Sequence, residues 1–363
     1  RATADSGDDQ WQSDCECDRC AGNERAPNPV GPCGLGADRV EQADHGAEPR
    51  QHYLAATGGA PQGSLSQVVD AARGPVLQVG QARTVVRRIL SWYDDHARDL
   101  PWRRPDATPW AIMVSEFMLQ QTPVERVRGP WQAWLERWPT PASLAAASPG
   151  EAVRAWGRLG YPRRALRLHQ AARMITDDFN GQVPKDRDSL LRLPGVGSYT
   201  AAAIGSFAHG RREIVLDTNV RRVVTRVALG AAFPSATETT LERAVAEQLA
   251  PRTPHRAARW AVASMELGAL VCRARSPRCD ACPVADLCAW RQAGNPAWAG
   301  TPRRGQTYAG TDRQCRGSLL AVLRSSDDPI DDHQLAAAWP DAAQRKRALA
   351  SLVQDGFVVA AGS

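Results

Sequence analysis

The sequence has no apolar run of the roughly 20 residues that cross a lipid bilayer, and it does not open with the basic-then-apolar order of a signal peptide. Alternating apolar and polar residues, the mark of half-buried strands, are nearly absent. Nine cysteines are an odd number, so a disulfide framework would leave one thiol unpaired. Only two of the 363 residues are lysines, Lys185 and Lys346. We therefore expect an all-α protein in a reducing, cytoplasmic compartment.

Positive charge is concentrated after the first 75 residues. Residues 1–75 contain six arginines and twelve acidic residues, whereas the whole chain carries a net charge of +6, so the remaining residues carry +12. A basic body of this size is typical of proteins that bind a polyanion.

Residues 1–78 are rich in Gly, Ala, Asp, Gln and Pro, and they follow neither a helical nor a strand period. The first methionine of the chain is Met113. We expect this segment to be disordered, or an artefact of an over-extended reading frame, and a chain that starts near Val79 to keep full activity. Its cysteines are too irregularly spaced to predict a metal site; they are Cys15, Cys17, Cys20 and Cys33.

Residues 79–299 carry apolar side chains at helical spacing, and prolines separate the short segments. This pattern predicts a globular body of short helices. Residues 300–363 differ: three short helices are predicted around Leu319–Leu323, Leu335–Trp339 and Ala348–Val353, with a strand at Gly356–Val359. That order favours a small winged-helix-like module, and the alternative is a helical cap packed on the body.

Four cysteines form one compact group with the spacing C-x6-C-x2-C-x5-C: Cys272, Cys279, Cys282 and Cys288. Four thiolates within 17 residues suit one metal centre. Zinc sites usually combine two C-x2-C pairs, and this group contains one, so the spacing favours a [4Fe–4S] cluster. Zinc remains an alternative, and disulfides come third. The loop also contains Arg273, Arg275 and Arg278, which could contact phosphates, unless the loop is simply solvated.

The string Leu193-Pro194-Gly195-Val196-Gly197 lies between two apolar segments that are predicted to be helices. Glycines allow the turn to approach a ligand closely, and the first amides of the second helix can bind a phosphate without reading sequence. A plain helix-helix turn would explain the string alone. Its helical flanks favour DNA binding.

Two acidic residues have settings that suit acid–base chemistry. Glu116 has Ile112, Met113 and Leu119 as its helical neighbours, so desolvation should raise its pKa and keep it protonated. Asp217 follows an apolar run and precedes a helix, where it is a natural N-cap whose backbone donors would keep it ionised. A neutral and an ionised carboxyl group together suit an oxocarbenium-like transition state. An arginine partner for Glu116, or capping alone for Asp217, is the structural alternative.

Taken together, these segments resemble the helix-hairpin-helix DNA glycosylases, and among them the adenine DNA glycosylases of the MutY family. The resemblance covers about Val85 to Trp290. It is carried by Leu100-Pro101-Trp102-Arg103, by Ser115 to Thr122, by Leu159-Gly160-Tyr161, by Leu193 to Ala201, by Leu216 to Arg222 and by the cysteine quartet.

The resemblance implies base excision repair of adenine opposite 8-oxoguanine or guanine in duplex DNA, by a monomer associated with the nucleoid. Glu116 would protonate the adenine, Asp217 would stabilise the cationic sugar, and Tyr199 and Asn219 would position both. Trp102 and Arg103 match the adenine pocket, while Gln121 and Tyr161 match residues that enter the base stack. Pro194, Gly195, Val196 and Gly197 would hold the DNA backbone, and the four cysteines would bind a [4Fe–4S] cluster.

The scarcity of lysine separates two chemistries within the resembling families. Relatives of endonuclease III, which also cleave the strand, use a lysine of the hairpin region, and this chain has Tyr199 there. We therefore expect a monofunctional glycosylase. The rivals are a G:T mismatch thymine glycosylase, an endonuclease III-like glycosylase/lyase, and a non-catalytic iron–sulfur DNA-binding protein. The chain departs from the family in two places. The roughly 65 residues after Gly300 are too few for the Nudix-like domain that family members usually carry, and Pro162 stands where relatives commonly have a second tyrosine.

Overall fold

The computed structural model describes residues 77–298, 308–326 and 328–359. Within these ranges the chain forms helices and connecting turns and no strand, which confirms the all-α prediction. The α-helices are α1 (Val79–His96), α2 (Pro109–Leu119), α3 (Val124–Arg137), α4 (Pro141–Ala145), α5 (Pro149–Trp156), α6 (Arg163–Asp178), α7 (Arg187–Arg192), α8 (Ser198–Phe207), α9 (Thr218–Leu229), α10 (Thr240–Leu249), α11 (Pro254–Leu270), α12 (Ala289–Gln292), α13 (Asp312–Arg324), α14 (Asp332–Ala338) and α15 (Ala342–Gln354). Short 3-10 segments span Pro101–Arg103, Cys279–Ala281 and Ala285–Leu287. None of the described helices combines the length and apolar character that a membrane span needs.

Two large groups of buried apolar side chains organise these helices. The first core cluster draws on α2 to α8 and on α13 to α15. The second core cluster joins α1 to α9, α10, α11 and the cysteine loop, so the first helix packs with the later half of the body. A small third cluster contains Ala202, Ala203, Val215 and Ala261, with Tyr199 packed against it. The hairpin helix α8 thus contributes to both the first and the third cluster.

Helix α2 has no exposed face over most of its length. Thr108 caps it by accepting a hydrogen bond from the Ala111 amide at 3.1 Å, and Pro109 occupies the first helical position. All nine residues from Trp110 to Met118 are buried. A helix enclosed in this way removes nearly all of its side-chain surface from water, including that of Glu116.

The segment after Gly300 contains the three predicted helices, now α13 to α15, but the predicted strand at Gly356–Val359 was wrong. Those residues form a turn and irregular chain, and the described residues offer no neighbouring strand with which they could pair. Phe357 and Val358 instead pack against the first core cluster, as do Cys315, Leu319 and Leu352 of the helices. The arrangement corresponds to the helical-cap alternative, and a winged-helix arrangement is not confirmed.

Salt bridges hold this cap near the start of α6. The Asp355 carboxylate accepts from Arg163 of α6 at 2.6 Å and from Arg316 of α13 at 2.5 Å. Arg324 also donates to the carbonyl of Gly157, between α5 and α6. The cap therefore lies against the loop that precedes α6.

The ordered body begins slightly before the predicted boundary at Val79. Leu77 is buried, and its carbonyl accepts a hydrogen bond from Gln248 of α10 at 2.7 Å. Gln78 forms a capping box with Gln81 at the start of α1. Both residues belong to the body, whereas residues 1–76, including the four upstream cysteines, lie outside the described residues.

A chain that starts at Val79 should be less stable than one that starts at Gly74, because it lacks the buried Leu77 side chain and the α1 cap. Loss of one buried leucine predicts about 2 kcal/mol in the free energy of unfolding. Chemical denaturation of the two chains measures this difference, and the full-length chain is the control. Equal unfolding free energies for the two shortened chains would contradict it.

Candidate active site

The two acidic side chains come from opposite halves of the body. Glu116 lies near the end of α2, and Asp217 is the N-cap of α9. Tyr199 of α8 lies next to Glu116, because its hydroxyl donates to Glu116 Oε2 at 3.2 Å. The charge of Asp217 acts on both Glu116 and Tyr199. The structure therefore brings together three residues that are 83 and 18 positions apart in the sequence.

Burial decides the protonation of Glu116, as its sequence neighbours predicted. Only 6% of the residue is exposed, and desolvation raises the pKa of its carboxyl group to about 7. The hydrogen bond from Tyr199 and the charge of Arg103 oppose this rise, whereas the charge of Asp217 adds to it. A large fraction of Glu116 is thus protonated at neutral pH.

The pKa of the Asp217 carboxyl group differs from the prediction that backbone donors would keep it low. Its Oδ1 accepts from the Val220 amide at 2.6 Å and its Oδ2 from Asn219 Nδ2 at 2.8 Å, so the capping prediction is confirmed. Burial nevertheless outweighs these donors and raises the pKa of the Asp217 carboxyl group above its usual value. The surrounding protein, more than the capping geometry, sets its proton affinity.

Asn219 is fixed by contacts on both ends of its amide. Its nitrogen donates to Asp217, and its oxygen accepts from Arg222 Nη2 at 2.8 Å. Arg222 also donates to the carbonyls of Gly268 at 2.7 Å and Cys272 at 2.7 Å. The arginine connects the predicted catalytic asparagine to the end of α11 and to the first cysteine of the loop.

Arg103 lies close enough for its charge to lower the pKa of both Glu116 and Tyr199. Its Nη1 donates to Glu266 Oε2 at 2.8 Å, and Arg98 Nε donates to Glu266 Oε1 at 2.7 Å. Glu266 is fully buried; burial alone would raise the pKa of its carboxyl group, but the two arginines hold that pKa below its usual value. A buried carboxylate therefore fixes the position of Arg103.

Trp102 is itself 5% exposed and packs edge-to-face on Trp131, so it belongs to the core behind the site.

The predicted hairpin is formed by α7, the turn at Leu193–Gly197 and α8. Gly195 has a φ of +83°, and a Cβ there would lie 2.7 Å from Phe117 Cε1. Only glycine allows the turn to pack this closely on the residue after Glu116. Gly197 is the N-cap of α8 and offers no side-chain cap, and Gly197 and Ser198 are exposed, so the first amides of the helix lack a side-chain acceptor from the cap.

The predicted stack-entering residues Gln121 and Tyr161 are exposed, each in a short loop between two helices. Both have positive φ values, 55° and 44°. In the loop between the first two cysteines, Arg275 and Arg278 are exposed, whereas Arg273 is half-buried and donates to the Ser276 carbonyl at 3.0 Å. Two of the three predicted phosphate-contacting arginines therefore face outward.

The four cysteines of the quartet line one pocket. Apolar side chains of α9 and α11 close it, and Arg226 Nη1 lies 3.5 Å from Cys272 Sγ. Burial raises the pKa of the Cys282 thiol to about 12, so thiolates here require compensating positive charge. No three His, Cys, Asp or Glu side chains in the described part of the chain are placed to hold a single metal ion. Four thiol groups gathered around one pocket are the donor set of a cuboidal iron–sulfur cluster.

Comparisons with known proteins agree with this geometry. The model of the HhH-GPD superfamily base excision DNA repair proteins matches residues 114–248, and that of the iron–sulfur binding domain of endonuclease III matches residues 272–288. A solved thermostable thymine-DNA glycosylase superposes with a TM-score of 0.53 at 26% identity, covering 59% of this chain and 98% of that one. Fold and site thus define a helix-hairpin-helix DNA glycosylase with an iron–sulfur cluster.

Relatives with higher sequence identity identify one family within this class of glycosylases. The adenine DNA glycosylase of Mycolicibacterium smegmatis is 57% identical over 271 residues, which cover 74% of this chain and 91% of that protein. The adenine DNA glycosylase of Mycobacterium tuberculosis is 55% identical over 273 residues, covering 74% of this chain and 88% of that protein. This chain belongs to the adenine DNA glycosylase family, whose members hydrolyse N-glycosidic bonds in base excision repair.

Sequence reasoning missed several residues that shape the site. Arg222 lies on α9 beside another arginine, where a charged side chain gives no signal that it turns inward, and Glu266 lies in the apolar second half of α11, where nothing marks its arginine partners. Gly268 is another: a Cβ there would lie 2.7 Å from Asn219 Cβ and 2.9 Å from the Asn219 carbonyl oxygen. A glycine within an apolar helix was the available signal, because it often marks a close approach of two backbones.

Gly268→Ala should displace Asn219 and with it the hydrogen bond to Asp217, because the added methyl group meets backbone atoms that have no free space. We expect single-turnover base release to fall at least about tenfold, the equivalent of about 1.4 kcal/mol, with DNA affinity nearly unchanged. The matched control is Gly129→Ala on α3, where a Cβ meets nothing within 4 Å. A Gly268→Ala enzyme as fast as the Gly129→Ala enzyme would contradict this account.

Proposed function

We propose that this chain excises adenine mispaired with 8-oxoguanine or guanine in duplex DNA and leaves the sugar–phosphate strand intact. The observation that carries the proposal is the proximity of two carboxyl groups, on the buried Glu116 and the half-buried Asp217, to each other and to Tyr199. Because an adenine inside the duplex cannot reach buried carboxyl groups, the nucleotide must first rotate out of the helix.

Glu116 serves as the general acid in this proposal. Its pKa of about 7 allows it to hold a proton at neutral pH and to transfer that proton to the adenine ring as the N-glycosidic bond breaks. The protonated base leaves with the bonding electron pair. Arg103, held by Glu266, is positioned to contact the base beside Glu116.

Asp217 supplies negative charge next to the cationic sugar that remains. The hydrogen bonds from Val220 and Asn219 fix the orientation of its carboxyl group toward the same space. A water molecule then adds to the anomeric carbon and gives up a proton, which completes the hydrolysis and leaves an abasic site. Tyr199 keeps Glu116 oriented through its hydroxyl group.

The DNA contacts follow from the exposed parts of the site. The Pro194–Gly197 turn and the start of α8 would bind a backbone phosphate. Gln121 and Tyr161 would enter the stack beside the extruded adenine. Cys272, Cys279, Cys282 and Cys288 would hold the [4Fe–4S] cluster, which supplies a fixed cross-link that positions Arg275 and Arg278 against the DNA. A single chain supplies all these groups, so we expect a monomer acting on DNA in the cytoplasm, at the nucleoid.

The pH dependence of base release tests the role of Glu116. Since the carboxyl group must be protonated to act, the single-turnover rate should be constant below its pKa and fall about tenfold per pH unit well above pH 7. Glu116→Gln should lower base release at least about 100-fold at neutral pH and leave DNA affinity intact. A wild-type rate that rises through pH 7 would exclude a protonated Glu116 as the acid.

A base-release assay on matched duplexes tests the reaction itself. We expect adenine release from A:8-oxoguanine and A:G, none from A:T, and strand breaks only after alkali. Strand cleavage without alkali is typical of an amine nucleophile, and the hairpin helix α8 contains Tyr199 and no lysine.

The same assay includes a T:G duplex, because the thymine-DNA glycosylase shares this fold. Thymine release would replace the proposed substrate. Breaks without alkali, or a borohydride-trapped adduct in high yield, would instead indicate a glycosylase/lyase. Binding without any base release would indicate a non-catalytic protein.

A further inference from the structure

Two strained loops carry the residues proposed to enter the base stack. The first insertion loop, Gln120–Thr122, joins α2 to α3, and the second insertion loop, Gly157–Tyr161, joins α5 to α6. Gln121 and Tyr161 are exposed and lie in the left-handed region at φ values of 55° and 44°. Non-glycine residues keep this conformation only where the surroundings impose it.

One guanidinium group imposes it on both loops. Arg164, in the first turn of α6, is buried, with 6% exposed. Its Nη1 donates to the carbonyls of Phe117 and Met118, each at 3.0 Å, and to that of Gln120. These contacts fix the end of α2 and the start of the first insertion loop.

The other terminal nitrogen reaches across to the second loop. Arg164 Nη2 donates to Thr122 Oγ1 at 2.9 Å and to the carbonyls of Leu159 at 3.2 Å and Gly160 at 3.0 Å. The Thr122 hydroxyl donates in turn to the Leu159 carbonyl at 3.2 Å. The two insertion loops are therefore joined through Arg164 and Thr122.

Burying the charge of Arg164 costs folding free energy, so stability alone does not account for an arginine at this position. In the described residues its polar partners are carbonyl and hydroxyl oxygens, with no carboxylate among them. Burial lowers the pKa of the guanidinium group to about 10, so the group stays charged inside the protein. A buried cation without an anionic partner is rarely the most stable choice for a core position.

We propose that Arg164 is a positioning residue that fixes the two insertion loops at one separation, so that Gln121 and Tyr161 enter the DNA stack together. It thereby governs extrusion of the adenine and not the chemistry at Glu116 and Asp217. This inference rests on the proposed function. Lysine cannot replace it, because an ammonium group offers three donors from one point, whereas the planar guanidinium group reaches both loops at once.

The test compares extrusion with chemistry in Arg164→Lys and Arg164→Met. Extrusion is followed by the fluorescence of 2-aminopurine placed at the adenine position opposite 8-oxoguanine. Chemistry is followed by single-turnover adenine release from the same duplex with adenine in place of 2-aminopurine, and from a bubble of several mismatches, in which the adenine is already unstacked. The matched control is Arg345→Lys, a buried arginine of α15 whose hydrogen bonds go to the carbonyls of Trp339 and Pro340 and to Asp332, and to neither insertion loop.

We expect both Arg164 variants to lose most of the fluorescence rise and to release adenine from the duplex at least about 30-fold more slowly than Arg345→Lys. Release from the bubble should fall less than about threefold. A purely structural role predicts equal losses on both substrates, and that result, or an unchanged fluorescence rise, would overturn the proposal.

Thr122→Val provides a second variant in case the Arg164 variants fail to fold. It removes one oxygen shared by the two loops and keeps the side-chain volume, so it should show the same split between duplex and bubble at a smaller amplitude. Equal losses on the two substrates would again contradict the proposal. The wild-type protein separates this inference from the proposed function. If the wild type releases adenine, the proposed function holds whatever the variants do. If it does not, the fluorescence of 2-aminopurine still reports whether Arg164 governs extrusion.

Discussion

The enclosure of one carboxyl group is the constraint on which the rest of the structure depends. Glu116 sits on a helix whose middle is buried on every side, and this burial raises its pKa to about 7. An uncompensated carboxyl group in such a place is expensive. Its neighbours offset the cost only in part: the Tyr199 hydroxyl donates to it, and Arg103 is held nearby by Glu266. The group remains able to carry a proton at neutral pH, which is the property that acid catalysis needs.

The long basic side chains inside this protein are arginines, since the chain has only two lysines. Arg164, Arg222 and Arg226 are all buried, and each donates to several backbone carbonyls from different parts of the chain. The planar group with five donors can satisfy loops and helix ends that leave carbonyls without helical partners. The same residue type supplies the positive surface, so the excess of arginine serves both the interior and the DNA-facing side.

The sequence predicted those parts of the site whose signal is local. Spacing identified the cysteine quartet, the apolar neighbours of Glu116 predicted its raised pKa, and the position of Asp217 before a helix predicted its capping role. Residues that act through distant contacts gave no such signal. Glu266, 150 positions from Glu116, is an ordinary charged residue of a helix until the fold turns it inward. The strand predicted at Gly356–Val359 was wrong because β-branched residues specify a strand only where another strand accepts their hydrogen bonds.

A continuous set of contacts joins the two functional regions. Asp217 bonds to Asn219, Asn219 to Arg222, and Arg222 to the Cys272 carbonyl at the first residue of the cysteine loop. Gly268 lets α11 approach Asn219 closely, and Arg222 also donates to the Gly268 carbonyl. The orientation of the carboxyl group at the sugar therefore depends on where α11 ends and on how the cysteine loop begins. A cofactor that fixes this loop would therefore contribute to the geometry of the active site.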